Sequence, residues 1–276
     1  MLTNQTPTDI EILPREPDLD ISDCLVRDWH GNDPFKTAYF NAFSIVFPVG
    51  EHFFIESVRA FDDRIEDPTL KRQVRGFIGQ EGRHRREHQD YNTTLCQARG
   101  YDLEYLESRQ RDRISMLKKR ASTYQWLAAT VALEHLTAIM ADGLLRNPAW
   151  LDGAEPEMTM LWRWHAIEET EHKAVTFDVY RAVGGWDSTR RQMLKIVTWN
   201  LLRDTLAYTR YMLRVAGRHR DMGLWWRGLS WLFGRHGIWR PHIGEWRDFN
   251  RADFHPWDND NRTLLDQWIP ALQTAS

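Results

Sequence analysis

The sequence predicts an all-α protein. Apolar residues recur at helical spacing over most of the 276 residues, and no stretch sustains the apolar–polar alternation typical of strands. Hydrophobic residues make up 42% and charged residues 27% of the chain, a composition typical of folded globular proteins. We therefore expect a helical protein with a substantial core.

Start and stop signals divide the chain into helices. Asp33-Pro34 and Asp67-Pro68 each place a capping aspartate before a proline at the first helical position. Pro48 lies inside the first helix and should kink it, whereas Gly100 is a natural end for the second. The predicted helices are approximately 34–63, 68–100, 103–118, 122–145, 156–184 and 188–217, followed by short pieces beyond residue 223.

The connection between the second and the fourth of these helices favours a particular bundle. Residues 100–120 form a long link with a helix of its own. A simple up-down bundle would not need such a link, whereas a bundle whose middle two helices run parallel does, because the chain must cross its full length. The sequence therefore predicts a ferritin-like four-helix bundle with additional helices.

A Glu-x-x-His motif occurs twice, as Glu81/His84 and Glu169/His172. Residues three or four apart share one face of a helix, so His165 lies on the same face as Glu169. Two further glutamates lie in apolar stretches of the preceding helices. Carboxylates in a bundle core cost several kcal/mol each unless their charge is neutralised, and one Glu from each of two helices plus Glu-x-x-His from the other two is a dinuclear metal pattern. The predicted metal ligands are Glu51, Glu81, His84, Glu134, His165, Glu169 and His172.

Some assignments stay open at this point. His165 is either a seventh ligand or a buried histidine bonded to a carboxylate. His88, one turn beyond His84, could reach the metals or relay protons. Glu168 and Glu171 are rotated away from Glu169 and are expected on the helix surface or in supporting contacts. The alternative for the whole set is a metal-free helical interaction module with these side chains on solvated faces.

Four segments carry a family resemblance: GEHFF (50–54), GQEGRHRREH (79–88), ALEH (132–135) and WHAIEETEHK (164–173). Over about residues 28–257 the chain resembles the bacterial family of predicted metal-dependent hydrolases, within the ferritin-like superfamily. The ligand pattern is also similar to that of the di-iron arylamine N-oxygenases, whose additional histidine gives His-x-x-x-Glu-x-x-His. In that comparison His165, Glu169 and His172 match this motif, and Glu51, Glu81, His84 and Glu134 fill the other positions.

The donor set favours redox chemistry. Four carboxylates and three histidines make an anionic, oxygen-rich site that stabilises oxidised iron or manganese. We therefore expect two metal ions, preferably Fe/Fe with Fe/Mn or Zn as alternatives. With an unidentified electron donor they would activate O₂ to oxidise a small organic substrate, apolar or aromatic. The hydrolase resemblance implies the alternative, in which a metal-bridging hydroxide attacks an ester or amide.

The rest of the sequence sets the context. We expect an N-terminal extension (1–32), the bundle (33–220) and a Trp-rich C-terminal segment (221–276) that packs on the bundle or forms a lid, a dimer contact or a membrane patch; a homodimer is one possibility. A net charge of −3 gives no reason to expect nucleic-acid binding. Without a long apolar run or a secretory pattern, a cytoplasmic protein is expected. The C-terminal tryptophans are Trp225, Trp226, Trp231, Trp239, Trp246, Trp257 and Trp268.

Overall fold

The computed structural model describes residues 6–7 and 10–273, and within these ranges it contains helices and loops but no β-strand. The all-α prediction is confirmed. The helices are α1 (Ser22–Leu25), α2 (Pro34–Arg59), α3 (Pro68–Arg99), α4 (Leu103–Arg120), α5 (Thr123–Arg146), α6 (Pro156–His172), α7 (Val175–Ala182), α8 (Asp187–Val215), α9 (Met222–Phe233), α10 (Ile243–Asp248) and α11 (Arg262–Gln273), with short 3₁₀ turns at Asp62–Arg64, Pro148–Leu151 and Pro256–Asp258.

The predicted helix starts are confirmed by their caps. The Asp33 carboxylate accepts hydrogen bonds from the backbone N–H groups of Phe35 and Lys36, at 2.8 and 3.1 Å. The Asp67 carboxylate accepts one from the Thr69 N–H at 2.9 Å. α3 ends before Gly100, whose φ of 69° places it in the left-handed region that glycine adopts most easily. The first predicted helix, α2, is shorter than predicted: it ends at Arg59, and a 3₁₀ turn follows at Asp62–Arg64.

The bundle is formed by four helices that pack around a common core. α2 pairs with α3 and α5 pairs with α6, while contacts between α2 and α5 and between α3 and α6 close the arrangement. α8 packs across both α2 and α5. The connecting helix α4 has 18 residues and is therefore about 27 Å long, and it contacts α2, α3 and α5.

The helix predicted for residues 156–184 is interrupted, which corrects the sequence interpretation. α6 ends at His172 and α7 begins at Val175. In the turn between them, Lys173 Nζ donates to the backbone oxygen of Asn259 and to Asn261 Oδ1, both at 2.7 Å. These partners lie more than 80 residues away in sequence, so the local apolar period contains no sign of the break.

α5 is the central helix of the bundle. Among the described residues it is the one helix long and apolar enough to cross a membrane, yet 83% of its apolar window is buried inside the protein. Length and composition alone do not separate a core helix from a membrane span, whereas burial does. α5 thus belongs to the core.

The N-terminal segment lies directly on α3 because two glycines leave room for it. A Cβ atom at Gly76 would lie 2.4 Å from the carbonyl oxygen of Ile12, and one at Gly79 would lie 2.5 Å from Pro14 Cγ. Any larger residue would push the segment away. This close contact brings the next residue, Arg15, to α6.

Part of the Trp-rich C-terminal segment packs against the bundle. Trp239 Nε1 donates to the Tyr39 hydroxyl at 2.7 Å, and the Trp231 ring lies edge-on to Tyr39 at 5.7 Å. Trp268 Nε1 donates to the Leu145 carbonyl at 3.2 Å. Trp226, by contrast, is 78% exposed. The predicted domain boundaries at 32 and 220 stay a prediction.

Candidate metal centre

Seven predicted ligands meet in one buried cluster at the centre of the bundle. Each of the four bundle helices contributes one glutamate, and α3 and α6 contribute the histidines. All seven residues are at most 4% exposed, which excludes solvated faces for them. They are Glu51 from α2, Glu81 and His84 from α3, Glu134 from α5, and His165, Glu169 and His172 from α6.

The first half of the cluster surrounds His172. Its Nε2 atom lies 3.2 Å from Glu81 Oε1, 3.5 Å from Glu134 Oε2 and 3.6 Å from Glu169 Oε2. These three carboxylates come from three different helices. One imidazole nitrogen and three carboxylates at such distances form a set that can hold a metal ion.

The second half contains His84 and His165. His165 Nε2 lies 3.0 Å and His84 Nδ1 3.7 Å from the same oxygen, Glu169 Oε1. The two imidazole rings stack with centroids 4.2 Å apart. Donor atoms of Glu51, Glu81 and His84 also lie within 4.8 Å of one another. Glu169 therefore presents one oxygen to each half.

Two of the histidines are oriented by hydrogen bonds on the side away from the cluster. His84 Nε2 lies 3.1 Å from Glu168 Oε2, and His172 Nδ1 lies 2.9 Å from Gln80 Oε1. These bonds fix the outer ring nitrogens, so that His84 Nδ1 and His172 Nε2 face the carboxylates. Histidines that bind metals are typically fixed in this way.

The third histidine, His165, is oriented by a chain of polar side chains. Ser44 Oγ donates to Asn92 Oδ1 at 2.7 Å, so it accepts from His88 Nδ1 at 2.9 Å. His88 Nε2 is then the acceptor for His165 Nδ1, 2.8 Å away. This assignment leaves His165 Nε2 facing the carboxylates, 3.0 Å from Glu169 Oε1. His88 thus lies behind His165 as seen from the cluster. One of its ring nitrogens, as a possible metal ligand, nevertheless lies within 4.8 Å of possible ligand atoms of Glu51 and His165.

Arg15 closes the polar side of the cluster. Its backbone N–H donates to Glu168 at 2.7 Å, and its guanidinium donates to both oxygens of Glu171 at 2.9 and 2.6 Å. Gln80 Nε2 also donates to Glu171, at 2.7 Å. Glu168 and Glu171 are buried, which corrects the expectation of a surface position and favours the supporting role. Arg15 and Gln80 were not predicted from the sequence, because no spacing rule connects residue 15 to α6.

The charges in the cluster are poorly compensated by protein groups alone. Burial, and then the neighbouring carboxylates, raise the pKa of Glu51 and Glu134 well above the ordinary range, and burial raises the pKa of Glu81 to about 7. Burial acts upward on Glu169 too, but His172 and His165 outweigh it and hold its pKa low. No described residue donates a hydrogen bond to either oxygen of Glu51, Glu81 or Glu134. Divalent cations would satisfy these oxygens and the three inward-facing imidazole nitrogens together.

An apolar cavity adjoins the second half of the cluster. His165 and Glu169 form one part of its wall, and aromatic side chains of α2 and α6 continue from them. The Phe47 ring lies 4.5 Å from the His165 ring. An organic molecule in this cavity would therefore lie against the candidate metal centre.

Comparison with known proteins agrees with this geometry. Residues 13–260 match the family described as predicted metal-dependent hydrolases, and the chain belongs to that family. The family resemblance inferred from the sequence is confirmed, whereas that to the arylamine N-oxygenases is not. No curated protein and no solved structure matches the chain significantly.

Proposed function

We propose that this protein is an enzyme with a dinuclear metal centre, preferably di-iron, that uses O₂ to oxidise a small organic substrate. The main support is a group of buried carboxylate oxygens that accept no hydrogen bond from a described residue. They lie beside three histidines whose outer ring nitrogens are already hydrogen-bonded. The proposed ligands are Glu51, Glu81, His84, Glu134, His165, Glu169 and His172.

The distances suggest how the ligands are shared. Glu81, Glu134 and His172 would hold one ion, with one oxygen of Glu169. Glu51, His84 and His165 would hold the other, with the second oxygen of Glu169. Such an oxygen-rich anionic site, loaded with two iron ions, would supply redox chemistry with O₂, given electrons from an external donor.

The protein's own residues then have defined tasks. The cavity lined by Phe47 and Trp162 would hold the substrate against His165 and keep water from that side. Burial raises the pKa of Glu168 to about 7 and also raises that of Glu171; Arg15 would oppose this effect and hold both carboxyl groups in place. His88 Nε2 accepts a hydrogen bond from the Nδ1–H of His165 and so fixes which nitrogen of that ring faces the cluster.

Hydrolysis is the second candidate function, and the family description favours it. Two metal ions in one site can activate a bridging hydroxide for attack on an ester or amide bond. In that case zinc or manganese would replace iron, and no electron donor would be needed. The buried ligands and the cavity would have the same tasks.

Oxygen consumption separates the two candidates. The protein is loaded with ferrous iron under argon and mixed with aerated buffer, with a Glu134→Ala variant treated identically as the control. We expect O₂ uptake by the native protein in proportion to its bound iron, and uptake by the variant no faster than that of free iron. Absence of uptake, together with ester or amide hydrolysis by the zinc-loaded protein under argon, would contradict the oxidase proposal and support the hydrolase.

A further inference from the structure

The helix α9 carries apolar side chains on its outer face as well as on its inner face. Its inner residues, Leu224, Gly228 and Leu232, are buried against the rest of the protein. Four outer residues follow one another at intervals of four, three and four, which places them within about 60° of one another around the helix. This α9 stripe is between 38% and 78% exposed and consists of Met222, Trp226, Leu229 and Phe233.

Close packing on α2 fixes the direction in which the α9 stripe faces. A Cβ atom at Gly228 would lie 2.3 Å from the Phe35 ring, so α9 lies directly on α2. The Trp225 ring meets Phe35 edge-on at 5.5 Å, and its Nε1 donates to the His219 carbonyl at 3.0 Å. Rotation of α9 to bury the stripe would break these contacts. The stripe therefore faces away from the core.

The apolar surface continues from the end of α9 onto two other helices. A groove of about 290 Å³ lies beside Phe233, and Leu202 of α8 and Ile243 of α10 line it as well. Trp199 is 66% exposed and lies three residues before Leu202, on the same face of α8. Single exposed apolar residues are ordinary, whereas a contiguous apolar surface of this kind marks an interaction site.

Arginines precede, flank and follow the α9 stripe. Residues 218–240 contain five arginines and a single acidic residue, a net charge of +4, although the whole chain carries −3. The acidic residue, Asp221, accepts from the Leu224 N–H at the start of α9 and is already paired with Arg218 at 2.9 Å. The stripe is therefore bordered by positive charge that this segment does not balance. The exposed arginines are Arg218, Arg220, Arg227, Arg235 and Arg240.

A second copy of the chain would match this surface poorly. A two-fold contact brings the same surface of both copies together, so the arginines of one copy would face those of the other, and like charges oppose association. An anionic lipid surface matches both features. Its phosphate groups attract arginines, and tryptophan, phenylalanine and leucine side chains enter the boundary between headgroups and acyl chains.

We propose that the α9 stripe and the arginines around it dock this protein on an anionic lipid surface, with α9 parallel to the membrane plane. Met222, Trp226, Leu229 and Phe233 enter the headgroup region, and the arginines bind lipid phosphates. This inference does not depend on the proposed function.

Vesicle flotation with the full-length protein tests the proposal. Vesicles of phosphatidylcholine alone are compared with vesicles that contain about one-third phosphatidylglycerol. We expect the protein to bind the anionic vesicles at least tenfold more tightly than the neutral ones. An increase from about 0.1 M to about 0.5 M salt should remove most of this preference, because it screens the arginines.

A matched pair of variants tests the apolar contribution. Trp226→Ser/Phe233→Ser should weaken binding to anionic vesicles about tenfold or more, since two large side chains no longer leave water. Trp186→Ser is the control. Trp186 is 74% exposed, but it lies about 24 Å along α8 from Leu202, so its replacement should leave binding unchanged.

A second pair tests the charge contribution. Arg227→Gln/Arg235→Gln should weaken binding to anionic vesicles about fivefold for each arginine. Lys71→Gln/Arg72→Gln removes two exposed cations from the start of α3 and should change binding little. Circular dichroism of all four variants verifies that they are folded.

Three results would overturn the proposal. The first is a native protein that does not bind anionic vesicles. The second is binding that survives in Trp226→Ser/Phe233→Ser, or that falls equally in Trp186→Ser. The third comes from sedimentation velocity without lipid: a dimer that dissociates in Trp226→Ser/Phe233→Ser would assign the stripe to a contact between two copies. We expect the same sedimentation coefficient for this variant and the native protein.

Discussion

The two sides of the candidate metal centre differ in how they are built. On one side Arg15, Gln80, Glu168 and Glu171 form a continuous network that holds His84 and His172. On the other side Phe47 and further aromatic residues border an apolar cavity. In the proposed function the closed polar side would hold the ligands in place, and the apolar side would accept a molecule without offering it competing hydrogen bonds. The comparison therefore assigns the rigid part of the proposed site to the polar side and the proposed substrate to the apolar side.

Removing the carboxylate common to both halves should have the largest effect. Glu169→Ala takes one oxygen from each half of the cluster, so we expect the bound metal to fall from about two ions per chain to less than one. Elemental analysis of the purified variant, with circular dichroism as a check on folding, measures this. Glu157→Ala, at an exposed position of the same helix, should retain the full metal content; equal metal loss in both variants would contradict the ligand assignment.

Removing Arg15 from the hydrogen-bond network on the polar side should have the next largest effect. Arg15→Met leaves Glu168 and Glu171 buried without their cation, which should lower the free energy of unfolding by about 2 kcal/mol, less than for a fully buried pair because Arg15 is partly exposed. Metal affinity should fall as His84 and His172 lose their fixed orientation. Denaturant titration and metal titration measure the two effects.

The control for Arg15 is a neighbouring arginine in a surface ion pair. Arg83 pairs with Glu16, which is 60% exposed, so Arg83→Met should change stability by less than about 0.5 kcal/mol. If the two variants were equally stable, the network around Arg15 would have no structural importance.

Metal affinity should depend on pH. A metal ion needs ionised carboxylates, whereas burial raises the pKa of Glu81 to about 7, and burial and the neighbouring carboxylates raise those of Glu51 and Glu134 well above their ordinary range. Protons therefore compete with the metal near neutral pH, and affinity should rise by about tenfold per pH unit for each proton displaced. Calorimetry between pH 6 and 8, in buffers of different ionisation enthalpy, counts the protons released. A constant affinity with no proton release would show that the metal binds elsewhere.

The chain behind His165 should give the smallest effect. Ser44→Ala removes the acceptor of the His88 Nδ1–H and should cost about 1 kcal/mol of stability without changing the metal content. Ser108→Ala, which removes an exposed hydroxyl bonded to the Tyr105 carbonyl, should cost almost nothing. Loss of metal in Ser44→Ala would mean that His88 takes part in binding more directly than proposed.

Local spacing explains why much of this arrangement could be predicted. Asp33 and Asp67 mark their helices by side-chain caps, and the three-residue interval in each Glu-x-x-His motif places both side chains on one helix face. The predicted ligands therefore meet once four helices pack together. These features depend on neighbours within one helical turn.

The parts that were not predicted depend on contacts across the chain. Arg15 reaches Glu168 because Gly76 and Gly79 let the N-terminal segment lie on α3, a distance of 153 residues in sequence. The turn at Lys173 is held by Asn259 and Asn261. Neither contact leaves a periodic pattern, so each requires the folded structure.

The most direct test of the central claim is the metal content of the protein after anaerobic loading. The native protein and a His84→Ala/His172→Ala variant are incubated with ferrous iron, desalted and analysed for iron per chain. We expect about two irons per native chain, as in dinuclear carboxylate bundles, and loss of both in the variant. Native protein with no iron above background, and none of manganese or zinc after the same treatment, would contradict it.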